Sequence, residues 1–361
     1  MSGPVTRGCR GCGSTTLHRV LDLGKMPAAD DFPARETVAD TVHPLAMDLC
    51  ADCGLAQLAE DDTVTAEPRG VEPQALRDQA ADALHRVAAA GRLSGRTVRE
   101  FGSPHGGSWL PLLAERGFTE TAGPADVVID CFGIMHEPDQ RAAFAARAAA
   151  TAPGGVLLLQ FHSLHAIVSQ GQWNALRHGH FAYYSLAALR HLLEDAGMSL
   201  ATAWEFELYG GTILVAAVHA PAVADETITR IIEAEASVTH PETVRRLQRD
   251  ADRQARLLRS WLDHEKATGR RVYAYGAASR AVALFHLAGL DATVLTAVAD
   301  ASPAKQGRRM PGSDVPIVSP AELVAAQPDL VLLTLPDLLP EVRSRWPELE
   351  GRWVVDPPEC P

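Results

Sequence analysis

The sequence predicts an α/β protein that begins with a small cysteine-bearing lobe and continues into two larger α/β domains. Two pairs of cysteines near the N-terminus mark the lobe. In two later stretches, apolar segments of strand length alternate with helical patterns, which is typical of mostly parallel sheets covered by helices on both faces. A length of 361 residues suits two or three domains, at a loose ~150 residues for each.

Composition and charge disfavour several classes of protein. Hydrophobic residues make up 47% and charged residues 22%, which are ordinary values for a globular protein. With 33 basic and 45 acidic side chains the net charge is −12, and this disfavours nucleic acid as a partner, because that affinity depends on Lys and Arg. No apolar run reaches the ~18 residues of a membrane span, and residues 1–16 have no signal-like stretch. The sequence therefore predicts a cytoplasmic protein that binds neither nucleic acid nor a membrane.

Four of the six cysteines form two closely spaced pairs, Cys9/Cys12 and Cys50/Cys53. A glycine follows each pair, Gly13 and Gly54, and permits the tight turn that directs both thiolates toward one ion. Two such turns supply the four ligands of a structural zinc site. A disulfide or a redox pair would use the same residues, but a cytosolic setting disfavours disulfides, and redox pairs normally occur singly. We therefore predict one zinc ion bound by all four cysteines.

The chain divides into four predicted segments. They are a zinc-binding lobe at 1–70, an α/β domain at 71–220, a polar helical connection at 221–268 and a second α/β domain at 269–361. In the first α/β domain the apolar pattern predicts strands at 97–101, 125–130, 155–161 and 211–219, with helices at 74–90, 109–116, 141–151 and 185–196. In the second, it predicts strands at 271–275, 293–299, 330–335 and 353–355 and a helix at 281–288. A glycine turn after its first strand and an acid after its second make this domain Rossmann-like.

Several motifs resemble those of the deoxysugar C-methyltransferases of antibiotic pathways. Besides the cysteine pairs, the matching segments are LDLG (21–24), EFGS (100–103), HEPD (136–139), HGHFAY (178–183), YGA (275–277) and PAKQG (303–307). These enzymes use S-adenosylmethionine (SAM) to methylate a carbon beside the ketone of a nucleotide-linked sugar. The resemblance implies a class I methyltransferase-like Rossmann domain between the zinc lobe and the C-terminal domain. It also implies an enzyme of secondary metabolism with a small-molecule substrate.

The chain departs from the family pattern in the SAM domain. Only residues 118–124 separate the first helix of that domain from the next apolar strand, an apparent loss of roughly forty residues that normally supply a helix and a third strand. We therefore expect a truncated domain that binds SAM or S-adenosylhomocysteine (SAH) weakly or in an altered way. Glu120 is the only acid left in the gap to hold a ribose. The glutamate between the two histidines of the HEH motif is replaced by Gly179, and Arg177 replaces a tyrosine.

The resemblance also assigns candidate site residues. C-methylation beside a ketone needs a base for the α-proton and a donor for the developing enolate oxygen. Histidine suits the first role because its ordinary pKa is near neutrality, and His180 stands at the position of the base. His136 is the candidate donor, and His178 is a third catalytic candidate. A packed or surface role is the alternative for each of them. The candidate cofactor-binding residues are Glu100, Gly102, Ser103, His105, Gly106, Gly107 and Glu120.

Candidate substrate-binding residues come from both α/β domains. They are Arg177, Tyr183, Tyr209, Tyr275, Gly276, Arg280 and Lys305. The change to arginine at 177 makes the region more positive, which suits an acidic substrate. Two alternatives to methyl transfer stay open: ring closure, isomerisation or elimination on a natural-product intermediate such as a SAM adduct, and a catalytically silent partner of another biosynthetic enzyme.

Overall fold

The computed structural model describes residues 8–36, 40–63, 72–102, 106–355 and 357. Three β-sheets of four, six and five strands follow one another along this part of the chain. The predicted α/β fold with an N-terminal cysteine lobe is confirmed. Among the described residues, the helices are all too short or too polar to cross a membrane.

The N-terminal sheet is antiparallel and is completed by the central domain. Its first three strands are β1 (Leu17–Pro27), β2 (Val42–Cys50) and β3 (Ala56–Leu58). The fourth strand comes from the central domain, where Tyr183 pairs with Ala56 and Ala182 with Gln57. Because this fourth strand lies two residues after His180, the sheet of the lobe extends to the candidate catalytic region.

The central sheet has the strand order β5-β4-β6-β7-β10-β9. The strands β5, β4, β6 and β7 are parallel, whereas β10 is antiparallel to both of its neighbours. The strands are β4 (Thr97–Phe101), β5 (Thr119–Glu120), β6 (Ala125–Cys131), β7 (Thr151–His162), β8 (Ala182–Tyr183, in the N-terminal sheet), β9 (Met198–Phe206) and β10 (Thr212–His219). The helices are α1 (Gln74–Ala89), α2 (Leu110–Ala114), α3 (Gln140–Ala150), α4 (Leu164–Ser169) and α5 (Leu186–Asp195).

Local sequence explains these elements. In α1 the residues Ala80, Ala83, Leu84 and Val87 recur at helical spacing and form its buried face. Ser185 caps α5 by accepting a hydrogen bond from the Ala188 amide, as N-terminal serines commonly do. The apolar run of β6 is buried because helices cover both faces of the sheet.

The two-residue strand β5 forms one edge of the central sheet. No strand of the described part of the chain lies beyond it. The sequence predicted this arrangement, because the seven residues 118–124, between the helix predicted at 109–116 and the next apolar strand, have no room for a further helix and strand.

Three helices connect the central domain to the C-terminal domain: α6 (Glu226–Ala234), α7 (Pro241–Val244) and α8 (Arg246–Ala267). The polar composition predicted a solvated connection, but α8 is amphipathic and packs on β1 and on the first strand and helix of the C-terminal domain. Leu258, Trp261 and Leu262 form the buried face of α8. The connection is thus part of the core that joins the lobe to the C-terminal domain.

The C-terminal sheet is entirely parallel, with the order β13-β12-β11-β14-β15. The predicted strand 293–299 is wrong in length: only Val298 and Ala299 pair, because the Asp291 carbonyl accepts the amides of Val294 and Leu295 in a turn. The elements are β11 (Val272–Tyr275), α9 (Ser279–Leu287), β12 (Val298–Ala299), β13 (Ile317–Val318), α10 (Pro320–Ala326), β14 (Leu330–Leu333), α11 (Leu339–Arg345) and β15 (Trp353–Val354).

The lobe also contacts the C-terminal domain directly. Arg309 donates two hydrogen bonds of 2.7 Å to the carboxylate of Asp40. Arg308 donates to the Phe32 carbonyl at 2.7 Å, and the ammonium of Lys305 lies 4.4 Å from the centre of the Phe32 ring. These contacts hold the C-terminal domain against the lobe, and the cleft described below lies between the C-terminal and central domains.

A buried glutamate joins α6 to the helices that follow β7 and β8. Glu235 is 3% exposed and accepts hydrogen bonds from the Ser163 hydroxyl at 2.9 Å and the Leu186 amide at 2.5 Å. Burial raises the pKa of this carboxyl from 4.5 to about 7, although both hydrogen bonds act in the opposite direction.

We expect the free energy of unfolding to fall as the pH rises from 4.5 to 7. In this window the folded chain keeps a proton on Glu235 that the unfolded chain has lost, so raising the pH favours unfolding, by about 3 kcal/mol once the window is crossed. Denaturant titrations from pH 4.5 to 8 should show a smaller decline for Glu235→Gln than for the wild type. The matched control is Glu233→Gln, an exposed residue in the last turn of α6, two positions before Glu235, which should keep the wild-type decline. Equal declines in all three proteins would contradict the assignment.

Candidate functional site

The four cysteines of the lobe form one compact cluster. Their Sγ atoms all lie within 4.8 Å of one another. Cys9 and Cys53 are 3.5 Å apart and Cys12 and Cys50 are 3.6 Å apart, whereas a disulfide requires about 2.05 Å. A tetrahedral site with Zn–S bonds of ~2.3 Å requires sulfur atoms about 3.8 Å apart. The donor set and its geometry therefore fit zinc, and no position is left for water or substrate.

Two tight turns produce this cluster. Gly13 and Gly54, the glycines after the two pairs, have φ values of 80° and 73°. Residues other than glycine rarely adopt this backbone conformation. The amides of both glycines donate to the carbonyls of Cys9 and Cys50, which closes each turn around its sulfur atoms.

Arg10, inside the first cysteine pair, connects the zinc lobe to the histidine motifs. This side chain is 8% exposed, and it donates to the Pro138 carbonyl at 3.0 Å and to the Leu58 carbonyl at 3.3 Å. Its guanidinium also lies 4.8 Å from the centre of the Phe181 ring. Pro138 and Phe181 follow His136 and His180 closely in sequence, so the zinc lobe supports both histidine segments.

A cleft of about 470 Å³ lies between the carboxyl edge of the central sheet and the C-terminal domain. Of the predicted site residues, many line it: Glu100, Gly106, Gly107, Arg177, His180, Tyr183, Tyr209, Tyr275, Gly276, Arg280 and Lys305. Gly102, Glu120, His136 and His178 are not among the described lining residues. Ser103 and His105 lie outside the described residues.

His136 and His180 are adjacent, with ring centres 4.3 Å apart and an edge-to-face arrangement. His136 follows β6 in a short turn, and its Nδ1 lies 2.9 Å from the Gly179 carbonyl, which fixes the hydrogen on Nδ1. His180 is 3% exposed and lines the cleft, with His136 in edge contact with it. The two imidazoles therefore form one pair. Of the two, His180 is the one that lines the cleft.

A buried ion pair positions the turn that carries His136. Arg147 of α3 donates from Nε to Asp130 at 2.9 Å, and Asp130 also accepts the amides of Gly133 and Ile134 at 2.8 and 3.0 Å. Asp130 is 0% exposed and Arg147 is 3% exposed. The carboxylate at the end of β6 thus fixes the start of the turn, and His136 lies at its end.

His180 is held by an arginine. The Arg177 guanidinium donates to Nε2 of His180 at 2.8 Å, and a second nitrogen of Arg177 donates to the Ser279 hydroxyl. Because a guanidinium has no acceptor, His180 receives this bond as a neutral imidazole with its hydrogen on Nδ1. The accepting nitrogen is therefore occupied by Arg177 in this structure.

His178 is directed to the lobe. Its Nε2 lies 3.1 Å from the Pro44 carbonyl of β2, and its ring makes an edge contact with His43. Burial lowers the pKa of His178, which keeps the imidazole neutral. The structure therefore gives His178 a packing position between the lobe and the central domain.

Gly106 and Gly107, which follow β4, line the cleft. Gly106 has a φ of 83°, and a Cβ placed on it would meet no atom within 4 Å. Glu100 accepts hydrogen bonds from the Trp109 amide at 2.7 Å and the Ser108 hydroxyl at 2.5 Å, and burial raises its pKa. The backbone at Gly106 therefore fits the close approach of a ligand, as SAM requires. Glu120 ends β5, where it pairs with Val98 of β4.

The C-terminal domain contributes the turn after β11. Gly276 has a φ of 97°, and a Cβ there would lie 2.5 Å from the Thr334 hydroxyl, so only glycine fits. The ammonium of Lys305, which also lines the cleft, donates to the Ala277 carbonyl at 2.9 Å and supports this turn. Tyr275 accepts a hydrogen bond from Trp346 at 3.2 Å, which fixes its ring at the wall of the cleft.

Two tyrosines of the central domain occupy different positions. The Tyr183 hydroxyl donates to the Ala175 carbonyl at 3.2 Å and accepts the Arg177 amide at 3.1 Å, so it supports the arginine-bearing turn. Tyr209 has a positive φ of 56°, and its ring lies 5.7 Å from the Arg280 guanidinium. Burial raises the pKa of both phenols, which stay protonated.

Sequence reasoning missed His162, which lines the cleft at the end of β7. It is 6% exposed, and its Nδ1 accepts a hydrogen bond of 3.0 Å from Arg280. Burial and the charge of Arg280 lower its pKa well below the ordinary value, so it is neutral. The available signal was its position: a polar residue directly after a long apolar strand lies at the carboxyl edge of a parallel sheet, where ligands bind.

Comparison with known proteins identifies the parts of the chain. The family model for the C-methyltransferase C-terminal domain matches residues 207–358, the one described as "Putative zinc binding domain" matches 9–67, and a methyltransferase domain matches 118–203. C-methyltransferase NovU of Streptomyces niveus is 27% identical over 406 aligned positions, covering 97% of this chain and 95% of that protein.

Solved structures give weaker similarity. Magnesium protoporphyrin IX methyltransferase of Synechocystis PCC 6803, solved with SAH, is 18% identical with a TM-score of 0.30, over 42% of this chain and 90% of that chain. The N-methyltransferase NodS of Bradyrhizobium japonicum is 12% identical with a TM-score of 0.29, over 42% and 100% of the two chains. Together with the four-thiolate cluster, the family models and the relative at nearly full length identify the chain as a methyltransferase-like enzyme that is similar to the SAM-dependent C-methyltransferases and carries an N-terminal zinc-binding domain.

Proposed function

We propose that the protein transfers a methyl group to a carbon beside the carbonyl of a keto-deoxysugar, in the nucleotide-linked form or as a related intermediate. One observation carries this proposal: Gly106 and Gly107 after β4 and the imidazole of His180 line the same cleft. A methyl donor and a base must both reach the same carbon of the substrate. In this cleft, a ligand can contact the candidate residues for cofactor binding and the candidate base together.

In the proposed reaction the backbone at Gly106 and Gly107 holds the cofactor, and Glu100 keeps the following turn in place through Ser108 and Trp109. SAM, when bound, supplies an electrophilic methyl group. His180 takes the proton from the α-carbon at Nε2, and the electron pair of the broken C–H bond forms the enolate of the substrate. His136 packs against His180 and restricts its ring orientation.

The role of His180 predicts a loss of turnover of about a hundredfold or more in His180→Gln, as expected for removal of a general base. The assay follows methyl transfer from labelled SAM to a panel of nucleotide-linked keto-deoxysugars, together with α-proton exchange in D₂O without SAM. His191→Gln, an exposed histidine of α5, is the matched control and should keep both rates. Normal rates in His180→Gln, or no methyl transfer and no exchange with any ketone of the panel, would overturn the proposal.

We also expect SAM to bind weakly, because the sheet has no described strand beyond β5 to support the adenine. Each lost ~1.4 kcal/mol of contact energy weakens binding tenfold. Calorimetric titration of SAM and SAH into the wild-type protein measures this directly. A submicromolar dissociation constant would contradict the expectation and would mean that another segment contacts the adenine.

A further inference from the structure

Two arginines meet in the cleft beside the candidate base. Arg177 precedes β8 in the central domain, and Arg280 lies in the first turn of α9 in the C-terminal domain. Arg177 donates a hydrogen bond to the hydroxyl of Ser279, the residue before Arg280, so the two arginine-bearing segments are in contact. Both side chains line the cleft.

Within the part of the chain that the structure describes, the charges of the two arginines are not balanced by an ion pair. Neither arginine takes part in an ion pair with any carboxylate of the described residues; the buried pairs there are Arg147–Asp130 and Arg309–Asp40. The negative charge of Asp337, an exposed residue, acts on Arg280 without an ion-pair contact. Burial and the charge of Arg177 lower the pKa of Arg280 to about 10. Two like charges in a partly dehydrated cleft are unfavourable unless an anion joins them.

The present partners of the two arginines are neutral and replaceable. Each guanidinium donates to a histidine nitrogen, Arg177 to His180 at 2.8 Å and Arg280 to His162 at 3.0 Å. The Nε of Arg177 is buried and has no hydrogen-bond partner among the described residues. Hydrogen bonds between a guanidinium and an oxyanion are about twice as strong as bonds between neutral groups, and the planar guanidinium matches carboxylate and phosphate oxygens. An oxyanion in the cleft is therefore a better partner for Arg177 than the neutral imidazole.

We propose that Arg177 and Arg280 bind an oxyanionic group of the substrate, a carboxylate or a phosphate, and that this binding draws Arg177 away from His180. The Nε2 lone pair of His180 then accepts the α-proton. The site at α9 gains further donors from the Ser279 hydroxyl and the first amides of the helix. The release of His180 rests on the proposed function, whereas the anion site stands independently of it. The structure thus couples recognition of a charged substrate to exposure of the base.

Calorimetry tests the anion site without any turnover. Pyrophosphate and malonate, representing phosphate and carboxylate substrates, are titrated at constant ionic strength into the wild type, Arg177→Gln and Arg280→Gln. We expect binding to the wild type by at least one of the two probes and an affinity loss of about tenfold or more in each variant. Arg256→Gln, an exposed arginine of α8, is the matched control. Preference for pyrophosphate identifies a phosphorylated substrate, and preference for malonate a carboxylic acid. No binding to the wild type, or equal affinity in all four proteins, overturns the site.

The ¹⁵N resonances of His180 test the release. In protein labelled with ¹⁵N-histidine, the Nε2 resonance of His180 is assigned by its loss in His180→Gln, and it should shift when the anion that binds is added to the wild type. In Arg177→Gln, this resonance should have the shifted position without any anion. Arg177→Lys keeps the positive charge and should still bind the anion, which provides a second variant if glutamine disturbs the fold. An unmoved resonance in both experiments overturns the coupling. If anions bind as expected but no ketone is methylated, the anion site stands and only the proposed function fails.

Discussion

Replacing Cys50 by serine is expected to release the zinc ion and unfold the N-terminal lobe. Cys50 is fully buried at the end of β2, and the other three thiolates have no fourth protein ligand to replace it within the described cluster. Structural zinc contributes on the order of 10 kcal/mol to the folding of small zinc domains, so its loss exceeds the stability of such a lobe. The wild type should contain about one zinc ion per chain by metal analysis, and the variant none.

The consequences should extend beyond the lobe, because Arg10 connects the first cysteine pair to Pro138 and Phe181. We expect chelation of the wild type to remove the edge contact of His136 with His180, which histidine NMR signals report. The control is Cys131→Ser, a thiol outside the cluster that contacts Gln160 and should leave the zinc content unchanged. Wild-type protein purified without chelator that contains no zinc, or that links Cys9 to Cys12, would contradict the assignment.

Replacing Arg147 by methionine is expected to destabilise the protein by about 3–5 kcal/mol, the usual effect of leaving one partner of a buried ion pair unpaired. Asp130 would stay fully buried without the Arg147 guanidinium, with only the Gly133 and Ile134 amides as donors among the described residues. Burial already raises the pKa of Asp130, so the variant should also take up a proton there. Denaturant unfolding at neutral pH measures the loss.

The matched control is Arg141→Met, on the exposed face of the same helix α3, which should change stability by less than about 0.5 kcal/mol. Adding Asp130→Asn to Arg147→Met removes the unpaired charge and retains one accepting oxygen for the turn, so part of the stability should return. A double variant as unstable as the sum of the two single variants would show that the two residues do not act as a pair.

The fold was largely predictable because its signals are local. Each of these signals is a pattern within a few residues. Examples are the apolar run of β6, the buried face of α1 and the glycine of the tight turn after each cysteine pair. The short strand β13 and the pairing of β8 with β3 were missed, because two-residue strands are defined by their partners and carry no pattern of their own. The predicted strand 293–299 was too long, because a turn that begins at Asp291 includes the first residues of the apolar segment.

The candidate site was predictable only in part. Motif resemblance named His136, His178 and His180 alike, but the structure places His178 against Pro44 of the lobe and brings the other two together. In a turn without regular periodicity, sequence spacing does not fix where a side chain points. His162 lacked a motif and was found only by its position in the cleft.

The sequence by itself determined the zinc ligands, the N-terminal place of the cysteine lobe and the lack of room for a further helix and strand between residues 118 and 124. Each of these depends on spacing along the chain, which is fixed by covalent connection. Only the tertiary structure decided which charges meet: Arg147 with Asp130, Arg309 with Asp40, and Arg177 with Ser279 and His180 beside Arg280. These groups lie on separate elements, and their contacts depend on how helices and sheets pack, because electrostatic and hydrogen-bond energies depend on distance in space.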